Sequence, residues 1–260
     1  MTINFKTEGH VLLIEVNRPK KHNAMTQEMY HQLARGYFEL DRGDDLWVGL
    51  VYAIGPHFTS GLDLTDWAGT FDAGKGFPLA EENEIDPFYM MSDERCRKPI
   101  VMAMQGYCYT WGLEMMLNTD IRVAASDTRF SMKEVRRGFF PGAGATLRLP
   151  KEIGWANAQR YMLTGDEMSA AEAYRLGLIQ HLTEPGQQFG KALEIALRVA
   201  SAAPLGVQAA LKSCRTAALE GEKAAREVIY RDVEEIMKSE DMKEGLLSFV
   251  ERREAVFKGK

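Results

Sequence analysis

A chain of 260 residues, 45% hydrophobic and 27% charged, can bury one large core or a core with an appendage, and its composition is that of an ordinary globular protein. Its net charge of −5 leaves no excess of cations to displace counterions, which argues against a nucleic-acid partner. The three cysteines, Cys96, Cys108 and Cys214, are odd in number and widely spaced, with no C-x-x-C, so neither a disulfide framework nor a metal site is expected. The opening MTINFKTEGH lacks a signal-peptide pattern and no apolar run approaches the length of a bilayer span. The expectation is a cytoplasmic protein without a membrane partner.

Ile3 to Lys6 and Val11 to Val16 are short β-rich runs around Glu8-Gly9 and predict a hairpin. Thr26 is a candidate N-cap, and the helical spacing of Met29, Tyr30, Leu33, Ala34, Tyr37 and Phe38 carries a helix to about Leu40. Val48 to Ile54 is a nearly continuous apolar run, as in a strand buried on both faces. Gly69, Gly74, Gly76, Pro78 and Pro87 predict a mobile loop, then a helix from about Pro87 to Arg97, stopped by Lys98-Pro99. Ile100 to Met104 reads as a buried strand, Trp111 to Leu117 as a short buried helix and Asp120 to Ala124 as a strand. Past about residue 150 the pattern is all helix, with apolar stripes at Phe189, Ala192, Ala196, Val199 and Ala203 and at Ala225, Ile229, Val233, Ile236 and Met237. A last helix covers roughly Met242 to Phe257, so the architecture is an α/β body with a helical C-terminal part.

Several familiar motifs fail. Gly69 to Lys75 fits part of a phosphate-binding loop, but Gly76 stands where Ser or Thr is required and no strand precedes it. GAGATL, 142 to 147, lacks the third glycine of a dinucleotide fingerprint. Serine-hydrolase elbows and zinc-peptidase motifs are missing, and the five histidines are scattered. The basic clusters Arg95, Arg97, Lys98 and Lys133, Arg136, Arg137 read as solvated surface, with a small anionic ligand left open.

Three segments carry chemistry. HFTSGLDL, 57 to 64, follows a strand, and its Ser-Gly pair lets the backbone turn sharply and leave amides pointing into space. QGYCYTWGLEMML, 105 to 117, is again strand, glycine turn and helix, whose first amides lack partners. Two such donors converging on one oxygen make an oxyanion hole. In the second segment Glu114 lies between Leu113 and Met115-Met116-Leu117, and burial in that run would raise its pKa toward the range useful for proton transfer, against the bland reading of a solvated helix face. The third segment, FSMKEVRRGFFPGAGATLRLP, 130 to 150, holds Glu134, whose basic flanks offer a surface ion pair as the bland alternative.

These segments resemble the crotonase superfamily of enoyl-CoA hydratases and isomerases over essentially the whole chain. VNRPKKHNAM, 16 to 25, is similar to the family's N-R-P-x-x-x-N-A-L/M, HFTSGLDL to F-S/C-A-G-x-D, and QGYCYTWGLEM to N-G-x-x-x-G-G-G-x-E-L/M. The 131 to 154 stretch resembles the family's P-G-x-G-x-T/S-x-R-L region, and EGLLSFVERREAVFKGK its ending. The resemblance implies an α/β spiral of β-β-α turns, residues 1–195, followed by a helical region, 196–260, used for homotrimers or dimers of trimers. It implies an acyl-CoA thioester substrate, with coenzyme A as part of that substrate and no separate cofactor. Carried over by position, the amides of Leu62 and Trp111 would form the oxyanion hole, and Glu114 and Glu134 would be the catalytic acids. Lys20, His22, Ala24, Ser60, Gly61, Asp63, Leu64 and, on the last helix, Lys258 would meet the CoA moiety.

Trp111 stands where the family has glycine in the oxyanion turn, so a costly positive φ is expected there, and Thr110 replaces the first glycine of the triplet. The expected reaction is hydration of a 2-enoyl thioester, with Glu114 as base toward water and Glu134 as proton donor to the α-carbon. A Δ3,Δ2-enoyl-CoA isomerase, an aryl-propenoyl-CoA hydratase-lyase favoured by aromatic crowding of Tyr107, Tyr109 and Trp111, and a non-catalytic scaffold are the alternatives. Dienoyl-CoA isomerases carry an acid where this chain has Gly142 and an aspartate where it has Glu114, so that reaction is excluded.

Overall fold

Gly9 turns the chain between β1 (Ile3–Glu8) and β2 (Val11–Val16), which pair antiparallel from Ile3 opposite Val16 to Glu8 opposite Val11. β3 (Val48–Ala53), β4 (Ile100–Met104), β6 (Ile121–Ala125) and β9 (His181–Thr183) add in parallel, giving a sheet of order β1-β2-β3-β4-β6-β9. β5 (Tyr107–Tyr109), β7 (Arg129–Ser131) and β8 (Met168–Ser169) make a second, three-stranded sheet. The structure, a computed structural model, describes residues 2–72, 81–90, 92 and 94–260.

The continuous apolar runs divide by strand alternation between two cores. Leu12, Ile14, Val16, Val51, Ile100, Met102 and Met104 face one core, built against α1 (Gln27–Arg42). Val11, Leu13, Val48, Leu50, Val101 and Ala103 face the other, closed by Ala192, Ala196 and Ala200 of α7 (Gln188–Ala200). α1 starts where Thr26 accepts from Met29 N–H at 3.2 Å, and it buries Met29, Leu33 and Leu40 completely. Each such burial contributes roughly 1.5–3 kcal/mol.

From β3, β4 and β6 the chain steps to the small sheet or its edge before the next helix. β3 leads to Thr59, which bridges Cys108, and on to α2 (Leu64–Asp72); β4 leads to β5 and α3 (Trp111–Met116). These repeated β-β-α turns are the crotonase-like α/β spiral. The remaining helices are α4 (Ala145–Ile153), α5 (Trp155–Thr164), α6 (Ala170–Arg175), α8 (Pro204–Glu220), α9 (Glu222–Met237) and α10 (Glu240–Glu251). α7 runs through the residue-195 division, joining the helical end to the second core. Among the described residues no helix is long and apolar enough to cross a membrane. Cys96 and Cys108 are buried and Cys214, on α8, is exposed.

Four expectations need correction. The described residues between Pro87 and Arg97 are not helical: the Asp86 carboxylate binds Phe88 N–H at 3.0 Å and Met90 N–H at 2.7 Å, and Tyr89 takes a left-handed φ of 51°. The part of the expected loop at Gly74, Gly76 and Pro78 lies outside the described residues. The region past residue 150 holds β8 and β9, and β5 and β7 were likewise unforeseen; strands of two or three residues are too short to show an alternation. The last helix stops at Glu251, where Arg252 turns left-handed at φ 55°, so Lys258 is not helical. The stripe on α9 buries only Ala225, leaving Val233 46% and Met237 61% exposed.

The tail after α10 is tied back to that helix's first turn. Buried Asp241 accepts from Lys258 N–H at 2.7 Å and Gly259 N–H at 2.9 Å, and donates its own N–H to Lys260 O at 3.0 Å. Asp241→Ala is expected to lower stability by about 1–3 kcal/mol. Hydrogen exchange should show lost protection at the 258 and 259 amides with the large sheet unchanged.

Candidate active site

Three turns lie side by side. Thr59 N–H donates to Tyr107 O at 2.8 Å and Tyr109 N–H to Thr59 O at 3.2 Å, fixing Thr59 beside Cys108 in parallel. On the other flank Ser60 N–H reaches His22 O, Met25 N–H reaches Gly61 O, and Asp63 N–H reaches Met25 O, at 2.8 to 3.0 Å. Buried Asn23 locks the first turn, donating to Ile54 O and His57 O and accepting from Arg18 N–H. Leu62 and Trp111 each stand three residues past the Thr59–Cys108 bridge, so equal offsets bring them to one level of the spiral. Neither N–H has an acceptor among the described residues; that of Trp111 opens α3, where the first amides lack helical partners.

The turns approach as closely as they do because Gly61 has no side chain. A Cβ there would come within 2.4 Å of Thr110 Oγ1, and φ of +107° already requires glycine. At Gly112 a Cβ would meet Thr59 Cγ2 at 2.4 Å. The positive φ expected at Trp111 falls instead on Thr110, at 49° with ψ of −112°, while Trp111 is helical. Such a conformation in a non-glycine residue stores on the order of 1–3 kcal/mol of strain.

The expected aromatic crowding does not form one slot. The Trp111 indole is 3% exposed and stacks on Phe88, centroids 4.9 Å apart and planes within 15°, with Tyr30 beyond at 6.0 Å. Tyr107 stacks instead on His57 at 3.9 Å and on Tyr109 at 4.6 Å, in a ladder capped by the Lys133 ammonium 4.1 Å from the Tyr109 ring. Strand alternation and the turn at Thr110 separate the two groups.

Glu114, on wholly buried α3, is 3% exposed. Its Oε1 accepts from Ala143 N–H at 2.8 Å and Ala145 N–H at 3.2 Å, the amides that flank Gly144 at the start of α4. Burial, and then the nearby Glu134 carboxyl, push Glu114 up to about 8. The two amide bonds pull the other way and do not offset the loss of water. Glu134 sits in the 3₁₀ turn Lys133–Arg137, and burial pushes it up to about 7. The surface ion pair is not what forms. Lys133 pairs with Glu167 and Arg136 with Asp166, so the flanking cations point elsewhere and Glu134 Oε2 is buried without a partner. Sequence reasoning gave no part to Arg148, whose guanidinium packs on Gly144, with Nη1 2.1 Å from where a Cβ would be. Its place four residues after the glycine that opens α4 was the available signal.

The remaining positions differ in character. Lys20, His22 and Leu64 are exposed around the three turns, Ser60 is half-buried, and the Ala24 carbonyl accepts from Arg18 Nη1 at 2.8 Å. Asp63 is committed to Arg18 at 2.7 Å, which holds its carboxyl below the usual range. Lys258 is exposed on the tail that Asp241 clasps. One group among the described residues, His31, Glu81 and Glu84, brings three potential metal-donor atoms within 4.8 Å, but it lies on α1 and the 81–84 turn, off the three segments that form the site.

The fold thus brings together a spiral of this topology, two neighbouring carboxyls held above their usual range and two amides without acceptors among the described residues. A sequence profile described as "Enoyl-CoA hydratase/isomerase" matches residues 6–260. The chain is 31% identical over 252 residues to "Enoyl-CoA hydratase EchA19" of Mycobacterium tuberculosis, covering 97% of this chain and 94% of that one. It is 31% identical to "(E)-benzylidenesuccinyl-CoA hydratase" of Thauera aromatica, over 100% of both chains. A crystal structure of a "probable enoyl-CoA hydratase/isomerase" from Mycobacterium abscessus superposes with TM-score 0.95 at 39% identity, covering 100% of this chain and 99% of that one. The chain belongs to the enoyl-CoA hydratase/isomerase family of crotonase-fold enzymes.

The raised pKa of Glu114 makes stability fall with pH. Below its ordinary 4.5 the group is protonated folded or unfolded; between 4.5 and about 8 only the unfolded chain releases the proton, and above 8 the penalty is complete. Gln at 114 keeps an oxygen for both amides and carries no charge. Glu114→Gln is therefore expected to be more stable than the parent at pH 8.5 by a few kcal/mol, the difference vanishing near pH 4.5. Denaturant titrations across that range check it.

Proposed function

We propose that the enzyme adds water across a 2-enoyl-CoA thioester, or removes it in reverse, through an enolate. The observation that carries this reading is the pair of buried carboxyls, each raised toward neutral pH and one amplifying the other. The amides of Leu62 and Trp111 hold the thioester oxygen as it gains charge; losing one such donor typically costs about 3–4 kcal/mol. Glu114 takes a proton from water as its oxygen bonds to the β-carbon. The double-bond electrons move onto the thioester, and Glu134 delivers a proton to the α-carbon. Anchoring Glu114 through one oxygen on Ala143 and Ala145 leaves the other for the water.

Lys20, His22, Ala24 and Ser60 to Leu64 are proposed to hold the CoA moiety, with Lys258 contributing from a neighbouring subunit. The exposed apolar side chains of α9 and α10, Tyr230 at 79%, Phe249 at 84% and Val250 at 77%, support self-association into trimers or dimers of trimers through the helical region. The chemistry needs coenzyme A only as part of the substrate. A Δ3,Δ2-isomerase needs one shuttling acid, and the second buried carboxyl favours hydration over it.

Catalysis needs one carboxylate and one carboxylic acid, so the active form exists where the pair shares a single proton. Below about 7 both carboxyls are protonated and above about 8 neither is. Between them the proton rests mainly on Glu114, and the reacting form is the less populated one in which it has moved to Glu134, whose share follows the same pH window. The expected kcat/KM profile for hydration is a narrow bell with limbs near those values. Glu114→Gln and Glu134→Gln should each lower kcat/KM by about 10²–10⁴ with thioester binding intact. Mass spectrometry on a panel of short, long and aromatic enoyl thioesters checks the reaction. Double-bond migration without water addition would replace this reading with the isomerase.

A further inference from the structure

Arg95 is a half-buried guanidinium whose Nε edge has no acceptor among the described residues. Among the described residues it forms no hydrogen bond or ion pair: Nε is buried without an acceptor, and the group lies over the Tyr89 ring, 5.5 Å from its centroid. Burial and then the like charge of Arg215 press its pKa down to about 10, with Arg148 adding to the effect and the Asp120 carboxylate, itself held by Arg215, pulling the other way. Three neighbouring cations are already engaged. Arg97 holds Asp41, Arg215 holds Asp120 at 2.9 Å, and Lys212 holds Asp232 at 2.8 Å. Arg95, Tyr89, Gln208, Arg215 and Thr216 line a cavity of about 280 Å³ between Tyr89, Arg95 and Arg97 on one side and α8 on the other. Glu220, on its exposed rim, makes no ion pair with Arg95. A desolvated cation with an open donor edge gains from a further counter-charge, and the guanidinium fork matches a planar carboxylate above all.

The cavity is joined to the catalytic carboxyl by direct contacts. Tyr89 O accepts from Arg148 Nη2 at 3.3 Å, and Arg148 packs on Gly144, between the two amides that hold Glu114. We propose that the Arg95 cavity binds a carboxylate at the far end of the acyl group, so that the substrate class is 2-enoyl thioesters that end in a carboxylate. This rests on the hydratase reading for the reaction, not for the binding.

The test therefore uses saturated thioesters, which need no turnover. Calorimetry on the full chain should show adipoyl-CoA binding at least about tenfold tighter than hexanoyl-CoA. In Arg95→Gln that preference should vanish with hexanoyl-CoA affinity unchanged, which also reports a folded protein, and Arg95→Lys should keep part of it. Equal affinities in the parent, or a preference that survives Arg95→Gln, overturn the proposal. Arg95-dependent binding of free adipate without any preference among thioesters overturns the acyl-end assignment in favour of a separate small anion. Hydration assays on 2-hexenedioyl-CoA and 2-hexenoyl-CoA separate the two readings. A retained binding preference with neither thioester hydrated sinks the hydratase and leaves the cavity; equal hydration with no binding preference does the reverse.

Discussion

Two hydrogen bonds from the amides of residues 143 and 145 to one oxygen of Glu114 hold the rest of the site in place. They tie the buried helix α3 to the start of α4, fix the carboxyl's direction and partly offset the cost of removing it from water. They exist only because the chain reverses at Gly144, where φ is +111°. Everything else depends on that anchor. Glu134 reaches the same space from the preceding 3₁₀ turn, and Arg148 closes behind it from the first turn of α4.

The spiral supplies what the anchor cannot. By stepping from the large sheet to the edge of the small one after β3 and β4, the chain sets neighbouring turns side by side, and the bridge from Thr59 to Cys108 aligns two of them residue for residue. The strain at Thr110 and the glycines at 61 and 112 are the local cost of that alignment. Backbone rather than side chain is what these turns present, so substitutions such as Trp111 and Thr110 leave the array of amides standing.

Much of this was legible in the residues. Leu113 and Met115 to Leu117 around Glu114 announced a buried acid, and the runs at 48 to 54 and 100 to 104 announced strands covered on both faces. Thr26 marked the start of α1. What was hidden had physical causes. β5, β7, β8 and β9 take their shape from neighbours rather than from any alternation of their own. Asp86 captures two amides that a helix would have used, and Arg252 ends α10 although nothing in its side chain demands it. The inward aim of Glu134 was equally hidden, because its flanking cations find acids thirty residues away in sequence. The family resemblance drew attention to Glu134 when its immediate neighbours pointed to the surface.

The distribution of the three thiols has a practical side. Cys96 and Cys108 are sealed in the core, and burial raises both so far that neither forms thiolate at ordinary pH. Cys214 alone is open to solvent, and it adjoins Arg215 on the helix that walls the cationic cavity. The native chain thus carries a single accessible attachment point for a maleimide fluorophore, on the face of α8 turned away from that cavity, with no engineered cysteine.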